Sequence, residues 1–227
     1  MSTDPLRLLA TLQQADSFFP GGSIAFSWGL EALITDRAVD LRSELPAFLQ
    51  GQLEHRWACF DRSALAAAYS VGANFDRVGA IDVQVEAMII ARELRDGSRR
   101  AGVSLLGVHE RIDTPGAAEY RDRVRAEAAP GHLAVVQGLL WRGAGMTLGQ
   151  AEAASAHTFC VSLLGAAIRL GAIGHLHAQR ALVSIRTRLA EILAQPALSI
   201  DDCYAFTPMI EIAAMRHEMQ STRLFAN

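Results

Sequence analysis

Histidine, cysteine and carboxylate side chains are the residues of this chain that could bind a metal ion. The sequence contains seven His and three Cys. A helical zinc-peptidase site needs two His four residues apart, with a Glu between them as general base. His109 and His217 are each followed by Glu, but Asp113 and Ser221 stand four residues further on. Neither motif is complete, so the sequence predicts no metal site of this class.

Other pairs of possible ligands lack a third partner at a useful spacing. His157 and Cys160 are three residues apart and would share one face of a helix. His175 and His177 would come together only in an extended segment. A small helical enzyme with a buried site at His157 and Cys160 is one hypothesis that the sequence leaves open. The prediction itself contains neither a metal nor a cofactor.

Nucleotide-dependent chemistry is restricted by the complete absence of lysine. All 21 basic residues are Arg. A P-loop needs a Lys at the phosphates, and a pyridoxal-phosphate enzyme needs one for its Schiff base, so both classes are excluded. The glycine-rich stretch 143–149 has neither the spacing nor the preceding strand of a dinucleotide-binding loop. No nucleophile, base and orienting group are arranged for catalysis, so the sequence predicts a protein that is not an enzyme.

Composition and charge exclude further classes. The formal net charge is −3, which is not the basic footprint of a nucleic-acid-binding protein. The most apolar stretch, Phe159–Ile168, is shorter than the ~18 residues of a transmembrane helix. The N-terminus does not resemble a secretory signal, and the scattered Cys59, Cys160 and Cys203 suit a reducing compartment. The sequence predicts a cytoplasmic protein that binds neither nucleic acid nor membrane.

The elements that would position any site are helices, because apolar residues recur at spacings of three and four nearly throughout. We expect an all-α, single-domain helical bundle of roughly 8–10 helices over residues 1–227. Predicted helix starts lie at residues 3–5, at Ser43, at residues 113–115 and at Thr147, the last helix running to about Leu170. Predicted breaks lie at residues 20–22, 72–74, 96–98, 130–131, 143–145, 171–174 and 195–196.

Two segments do not fit the pattern of a simple bundle. Residues 18–31 place five large apolar side chains around a Gly-Gly turn without a helical stripe. The C-terminus ends with Leu224 and Phe225 among charged and hydrogen-bonding residues, whereas chain ends are usually small and polar. Apolar anchors flanked by polar groups are typical of binding surfaces. We therefore predict an N-terminal docking segment at about residues 1–30 and a C-terminal docking tail at about residues 208–227.

These segments resemble the urease accessory protein UreF family. Residues 20–31 are similar to that family's P-V-G-A-F-S-Y-S-Q-G-L-E stretch, and residues 217–225 are similar to its H-E-T-Q-Y-x-R-L-F ending. Residues 93–106 resemble its central E-L-R helix, and residues 166–179 its A-A-x-R-L region. The resemblance gives the candidate partner-binding residues Pro20, Gly22, Phe26, Ser27, Trp28, Gly29, Glu31, Glu93, Arg95, Arg169, Gly174, Gln179, His217, Glu218, Gln220, Arg223, Leu224 and Phe225.

The resemblance implies an all-α, usually dimeric maturation factor without enzymatic activity. Family members bind the scaffold protein UreD, also called UreH, and the nickel-carrying GTPase UreG. The assembly docks on apo-urease and delivers nickel to its active site. On this basis we expect a homodimer that serves as a nickel-insertion chaperone.

This sequence also departs from the family pattern. Phe26 replaces the usual Tyr and Trp28 replaces Gln, while Met219 and Ser221 replace Thr and Tyr. Partner binding could therefore be tuned differently. Two alternatives remain open: a GTPase regulator that acts through an Arg finger such as Arg169, and a helical scaffold with another client.

Overall fold

The fold is built only from helices in residues 4–22, 26–36 and 38–217, which the computed structural model describes. Its α-helices are α1 (Pro5–Ala15), α2 (Leu30–Thr35), α3 (Leu41–Gln52), α4 (Arg62–Val71), α5 (Phe75–Met88), α6 (Arg92–Arg111), α7 (Ala117–Arg125), α8 (Leu133–Gly143), α9 (Leu148–Arg169), α10 (His175–Ala194) and α11 (Pro208–His217). A π-helical stretch, Leu53–Asp61, joins α3 and α4 into one continuous helix. Counted that way, the described residues form ten helices, which confirms the predicted all-α bundle.

Helix starts that depend on local capping were predicted well. The Asp4 carboxylate accepts a hydrogen bond from the Leu6 amide at 3.0 Å, and Pro5 occupies the first helical position. Thr147 and Gln150 form a reciprocal capping box at the start of α9. Both arrangements follow from side-chain chemistry within one turn of the helix, which explains why the sequence was sufficient.

Two predicted helix starts are displaced. The cap of α3 is Asp40, whose carboxylate accepts a hydrogen bond from the Arg42 amide at 3.1 Å; Ser43 lies inside the first turn and donates its hydroxyl to Asp40. The charged oxygen of Asp40 is the stronger acceptor for the free amides. The helix predicted from residues 113–115 begins at Ala117 instead, after those residues form a turn.

The predicted break at residues 96–98 is wrong, because these residues lie inside α6. A Cβ atom on Gly97 would lie 3.4 Å from the Phe26 ring and 3.6 Å from the Trp28 ring. Both distances are ordinary van der Waals contacts, so Gly97 packs against the N-terminal aromatic residues and does not end the helix. Ser98 is also buried there, where its hydroxyl lies 3.1 Å from His132 Nδ1.

Two apolar clusters form the core, and α9 contributes to both. The first half of α9 packs with α4, α5, α6 and α8, and its second half packs with α3, the π-helical stretch and α10. By length and composition, α9 alone among the described helices could cross a membrane. However, 56% of its most apolar 18-residue part is buried inside the fold. Its contacts on several sides are those of a central core helix.

Buried charges fix the positions of these helices. The Arg62 guanidinium binds both carboxylate oxygens of Glu152, at 3.0 and 3.3 Å, and donates to the Ile192 and Gln195 carbonyls. Arg62 thereby binds carbonyls at and just beyond the end of α10, where helix carbonyls lack partners in the next turn. A buried ion pair is tolerated when both partners are fully hydrogen-bonded. This arrangement ties α4, α9 and α10 together.

Candidate functional site

The last part of the predicted N-terminal docking segment, residues 26–30, is packed into the fold. Phe26, Ser27 and Glu31 are buried, and Trp28 is half-buried. The rings of Phe26 and Trp28 lie 5.5 Å apart at an angle of 42° and pack against α6. Phe26, Ser27 and Glu31 offer little surface to a partner, whereas Trp28 also lines the cavity described below, and the partner-binding role of all four stays a prediction. Their position in the core suits them to orienting the surface around them.

The N-terminal segment meets the start of the predicted C-terminal segment at Gly29. Trp28 and Gly29 have φ values of 55° and 84°. Both lie in the left-handed backbone region, which residues other than glycine rarely adopt. A Cβ atom on Gly29 would lie only 2.9 Å from the carbonyl oxygen of Ile210. Glycine at this position therefore lets α2 pack directly against α11.

Residues 16–22 run over α6 and leave one large side chain in water. The Phe19 ring lies 5.4 Å from the His109 ring, and Gly22 turns beside Ser104 with a φ of 80°. Pro20 is exposed, and Phe18 is 90% exposed. An aromatic side chain that remains in water after folding is a candidate contact for another molecule.

A cavity of about 780 Å³ lies between the N-terminal segment and the start of α11. It is lined by residues 14–22, by Thr207 and Ile210 at the start of α11, and by parts of the π-helical stretch, α6, α8, α9 and α10. Its walls are mostly apolar, with Trp57 and Trp141 among them. The two predicted docking segments therefore flank one cavity.

Gln14 holds the end of α1 in place. Its side-chain oxygen accepts hydrogen bonds from Trp141 Nε1 at 2.9 Å and from His109 Nε2 at 3.1 Å. The other ring nitrogen of His109 accepts from the Thr114 hydroxyl at 2.8 Å. The bond to Gln14 requires a proton on Nε2, and Nδ1 accepts from the Thr114 hydroxyl when the imidazole is neutral. Burial lowers the pKa of His109 to about 4, which favours that neutral form.

We expect the free energy of unfolding to fall by roughly 3 kcal/mol between pH 6.5 and pH 4 because of His109. In that interval the histidine of the unfolded chain takes up a proton, whereas native His109, with its pKa of about 4, stays neutral. Urea unfolding at a series of pH values measures the slope. The variant His109→Gln removes this titration. The slope of the free energy of unfolding against pH should then fall by the amount that corresponds to one fewer proton taken up on unfolding. An unchanged slope would contradict the assignment.

Two amphipathic helices present apolar faces to water. On α1, Leu6, Leu9 and Leu12 are 77%, 61% and 57% exposed, whereas the polar Gln14 is buried. On α11, the residues Met209, Ile212 and Met215 recur every third position and are about half exposed, and Phe206 precedes them. We call Phe206, Met209, Ile212 and Met215 the α11 face. Apolar faces of this kind mark surfaces that other molecules cover.

The central candidate residues lie at the corner between α5 and α6. Arg95 donates to the Ile89 carbonyl at 3.0 Å and pairs with Glu86 at 3.3 Å. Glu86 also pairs with His132 at 2.7 Å. Arg95 is therefore engaged within the chain and braces this corner, and Glu93 lies in the first turn of the same helix. A role of either residue in partner binding stays a prediction.

The candidates Arg169, Gly174 and Gln179 are exposed at the corner between α9 and α10. Gly174 immediately precedes α10, and Arg169 and Gln179 line the cavity. Desolvation lowers the pKa of Arg169, although the side chain remains charged at neutral pH. The structure thus brings two of these candidates to the cavity that the docking segments flank.

The C-terminal candidates lie at or beyond the end of the described residues. His217 is the last residue of α11, and its side chain is outside the described part. Glu218, Gln220, Arg223, Leu224 and Phe225 lie outside the described residues altogether. Their predicted role as a docking tail stays a prediction.

The described residues bring no metal-binding group together. Among them, no three His, Cys, Asp or Glu side chains are arranged to hold an ion. His157 is exposed while Cys160 is buried, and burial raises the pKa of the Cys160 thiol to about 12. A thiol with that pKa is protonated at neutral pH and is a poor metal ligand or nucleophile.

Gln14 was missed from the sequence, and Met209, Ile212 and Met215 lie in the predicted C-terminal docking segment but were not singled out as contacts. Gln14 has no local signal, because its partners Trp141 and His109 are about a hundred residues away along the chain. The α11 face had a signal in the three-residue spacing of Met209, Ile212 and Met215. The same spacing is typical of a core-facing helix, so sequence alone could not place this face in water.

Known proteins match this chain along most of its length. A family model described as UreF matches residues 39–186. A urease accessory protein UreF from Trichodesmium erythraeum is 30% identical, with all of both chains covered. Proteins of the same name from Paenarthrobacter aurescens and Actinobacillus pleuropneumoniae are 33% and 30% identical, with 96% of this chain covered and 96% and 98% of theirs. On this similarity, the chain belongs to the UreF family.

Proposed function

We propose that this protein is a urease maturation factor that links the scaffold protein UreD, or UreH, to the GTPase UreG and so assists nickel insertion into apo-urease. Membership of the UreF family, whose relatives are named urease accessory proteins, supports the maturation role. The observation that carries the linking role is the pair of unburied apolar helix faces beside one cavity. A protein that works by binding needs such surfaces.

The scaffold binds, in this proposal, to the α11 face and to the tail that follows it. Met209, Ile212 and Met215 supply an apolar stripe. Leu224 and Phe225 of the tail are the further apolar anchors in this proposal. Central apolar side chains of this kind carry most of the energy of an interface. The tail residues His217, Glu218, Gln220 and Arg223 then provide polar contacts that fix the register.

The protein acts by binding energy and not by chemistry of its own. It binds one nucleotide state of the GTPase more tightly than the other, because only a difference in affinity can shift a conformational equilibrium. In this proposal nickel is the cargo of the assembly. The protein would act in the cytoplasm as a homodimer, and its exposed apolar faces offer surface for such contacts.

A binding experiment with purified partners tests this function. The full chain should bind the UreD or UreH scaffold, and the scaffold complex should then bind UreG. The double variant Leu224→Ala, Phe225→Ala should lose at least 30-fold in scaffold affinity, or about 2 kcal/mol, because both anchors are removed. Val183→Ala, which removes an exposed apolar side chain on α10 outside both docking segments, is the control for a general effect of surface change.

Two results would contradict the proposal. Equal scaffold affinity of the native chain and the double variant would exclude the tail as a docking element. GTP turnover by UreG should change little when this protein is added without the scaffold. A large acceleration that depends on Arg169 would identify a GTPase-activating protein instead.

A further inference from the structure

The continuous helix of residues 41–71 contains a stretch with wider turns. In that stretch the hydrogen bonds reach back five residues, and not four as they do in an α-helix. The Arg62 amide donates to the Trp57 carbonyl, five residues earlier, and the Cys59 thiol donates to the Glu54 carbonyl, also five residues earlier, at 3.0 Å. Such π-helical turns are rare and occur frequently at functional sites. The stretch covers nine residues, Leu53–Asp61.

An ion pair within this stretch depends on the wider turn. Arg56 Nε lies 3.1 Å from Asp61 Oδ2, and both side chains are largely buried beside the cavity. In an α-helix, side chains five residues apart point about 140° away from each other, since each residue turns the helix by about 100°. The wider turn brings Arg56 and Asp61 onto one side. The Arg56 guanidinium also lies 4.8 Å from the centre of the Phe60 ring.

The same stretch holds the chain that leads into α11. The Phe206 amide donates to the His55 carbonyl at 2.9 Å, and the Tyr204 amide donates to the Cys59 carbonyl at 3.1 Å. Residues 203–207 have no regular secondary structure, and α11 begins at Pro208. Two backbone hydrogen bonds therefore attach this segment to the π-helical stretch within four residues of the start of α11, one of them at Phe206, the first residue of the α11 face.

We propose that the π-helical stretch is the positioning element of the α11 face: its widened turns fix residues 203–207, and these fix α11 in the orientation that a partner binds. The importance of that orientation for partner binding rests on the proposed function. The stretch accommodates one residue more than a regular helix between the same flanking turns. Deleting one residue from the stretch restores a regular α-helix without rotating α3 against α4. The deletion also removes the widened turns that hold residues 203–207.

A one-residue deletion tests this directly. Deletion of Ala58 should leave the helical circular dichroism and the cooperative thermal transition in place, because the flanking helices keep their register. Backbone amides of α11 should exchange with deuterium at least tenfold faster, whereas those of α8 should keep their protection. Deletion of Ala66, in the regular helix α4, is the control. It rotates the rest of the helix by about 100° and should abolish the folded state.

A second variant keeps the proposal falsifiable if the Ala58 deletion does not fold. Tyr204→Pro removes one of the two amide donors, together with the contact of the Tyr204 hydroxyl with Cys59, and leaves the sequence of the helix unchanged; it should also accelerate exchange in α11. Ala205→Pro, between the two donors, is its control. Exchange in α11 at the native rate in the Ala58 deletion, or in Tyr204→Pro where the deletion does not fold, would overturn the proposal, whether or not the scaffold binds.

Scaffold affinity separates the inference from the function on which it builds. A folded Ala58 deletion should bind the UreD or UreH scaffold at least 30-fold more weakly than the native chain. If the native chain binds the scaffold and the deletion binds equally well, the positioning role is wrong. If the native chain does not bind at all, the proposed function fails, and exchange in α11 still decides whether the π-helical stretch positions that helix.

Discussion

Replacing Asp82 with Ala should lower the free energy of unfolding by at least about 3 kcal/mol. Asp82 is completely buried in α5 and accepts three hydrogen bonds: from the Tyr120 hydroxyl at 2.7 Å, the Gly131 amide at 2.6 Å and the His132 amide at 2.9 Å. Its removal leaves three buried donors without an acceptor, and each costs about 1–3 kcal/mol.

Urea unfolding measures this effect, and α5 supplies a matched control. Asp76 lies in the first turn of the same helix, where its side chain is 86% exposed and pairs with Arg123. Asp76→Ala should change the free energy of unfolding by no more than about 0.5–1 kcal/mol, because exposed ion pairs contribute little. Similar losses in the two variants would show that the three bonds of Asp82 are not what stabilises this corner.

Asp82 matters because it joins elements that are distant in sequence. It fixes the turn at residues 130–132, which positions His132 against Ser98 of α6. Burial raises the pKa of the Asp82 carboxyl, while its three donors oppose that increase. This corner lies on the first core cluster, which α11 also joins through Ile210. Loss of Asp82 should therefore loosen the framework that carries the α11 face.

A charge placed on the α11 face should abolish scaffold binding without unfolding the protein. The double variant Met209→Asp, Ile212→Asp introduces two carboxylates at positions about half exposed in the free chain. If a partner covers these residues, the carboxylates must lose water without gaining a partner. We expect at least a 100-fold loss of scaffold affinity, or about 2.7 kcal/mol, with a nearly unchanged thermal midpoint.

The control for this variant is Val183→Asp on α10, where the side chain is 59% exposed. It carries the same kind of substitution on another helix and should bind the scaffold as the native chain does. Isothermal titration calorimetry gives both affinities, and a thermal melt confirms that each variant is folded. An unchanged affinity of the α11 variant would place the scaffold elsewhere on the protein.

Features that depend on neighbouring residues were readable from the sequence. The all-α class followed from apolar spacing, and the starts of α1 and α9 followed from Asp4, Pro5 and Thr147. These signals are local, because a cap or a stripe acts within one or two turns of a helix. The resemblance to the UreF family also rested on short motifs, and the family comparison confirms it.

Features that depend on contacts between distant residues required the tertiary structure. Gly97 was predicted to break a helix, but packing of Phe26 and Trp28 against it gives the glycine another role. The wider turns around Arg56 and Asp61 have no signature in apolar spacing. The segment that they hold, residues 203–207, lies about 150 residues further along the chain, so its contact with them has no local signal either.

The sequence by itself determined the helical class, the capped helix starts and the family, since each is encoded in residues that act on their near neighbours. Only the tertiary structure decided which apolar faces are buried. A stripe such as Met209, Ile212 and Met215 favours removal from water equally well in a core or at an interface, because the hydrophobic effect is non-directional. Which of the two occurs depends on whether another helix of the same chain is there to cover it.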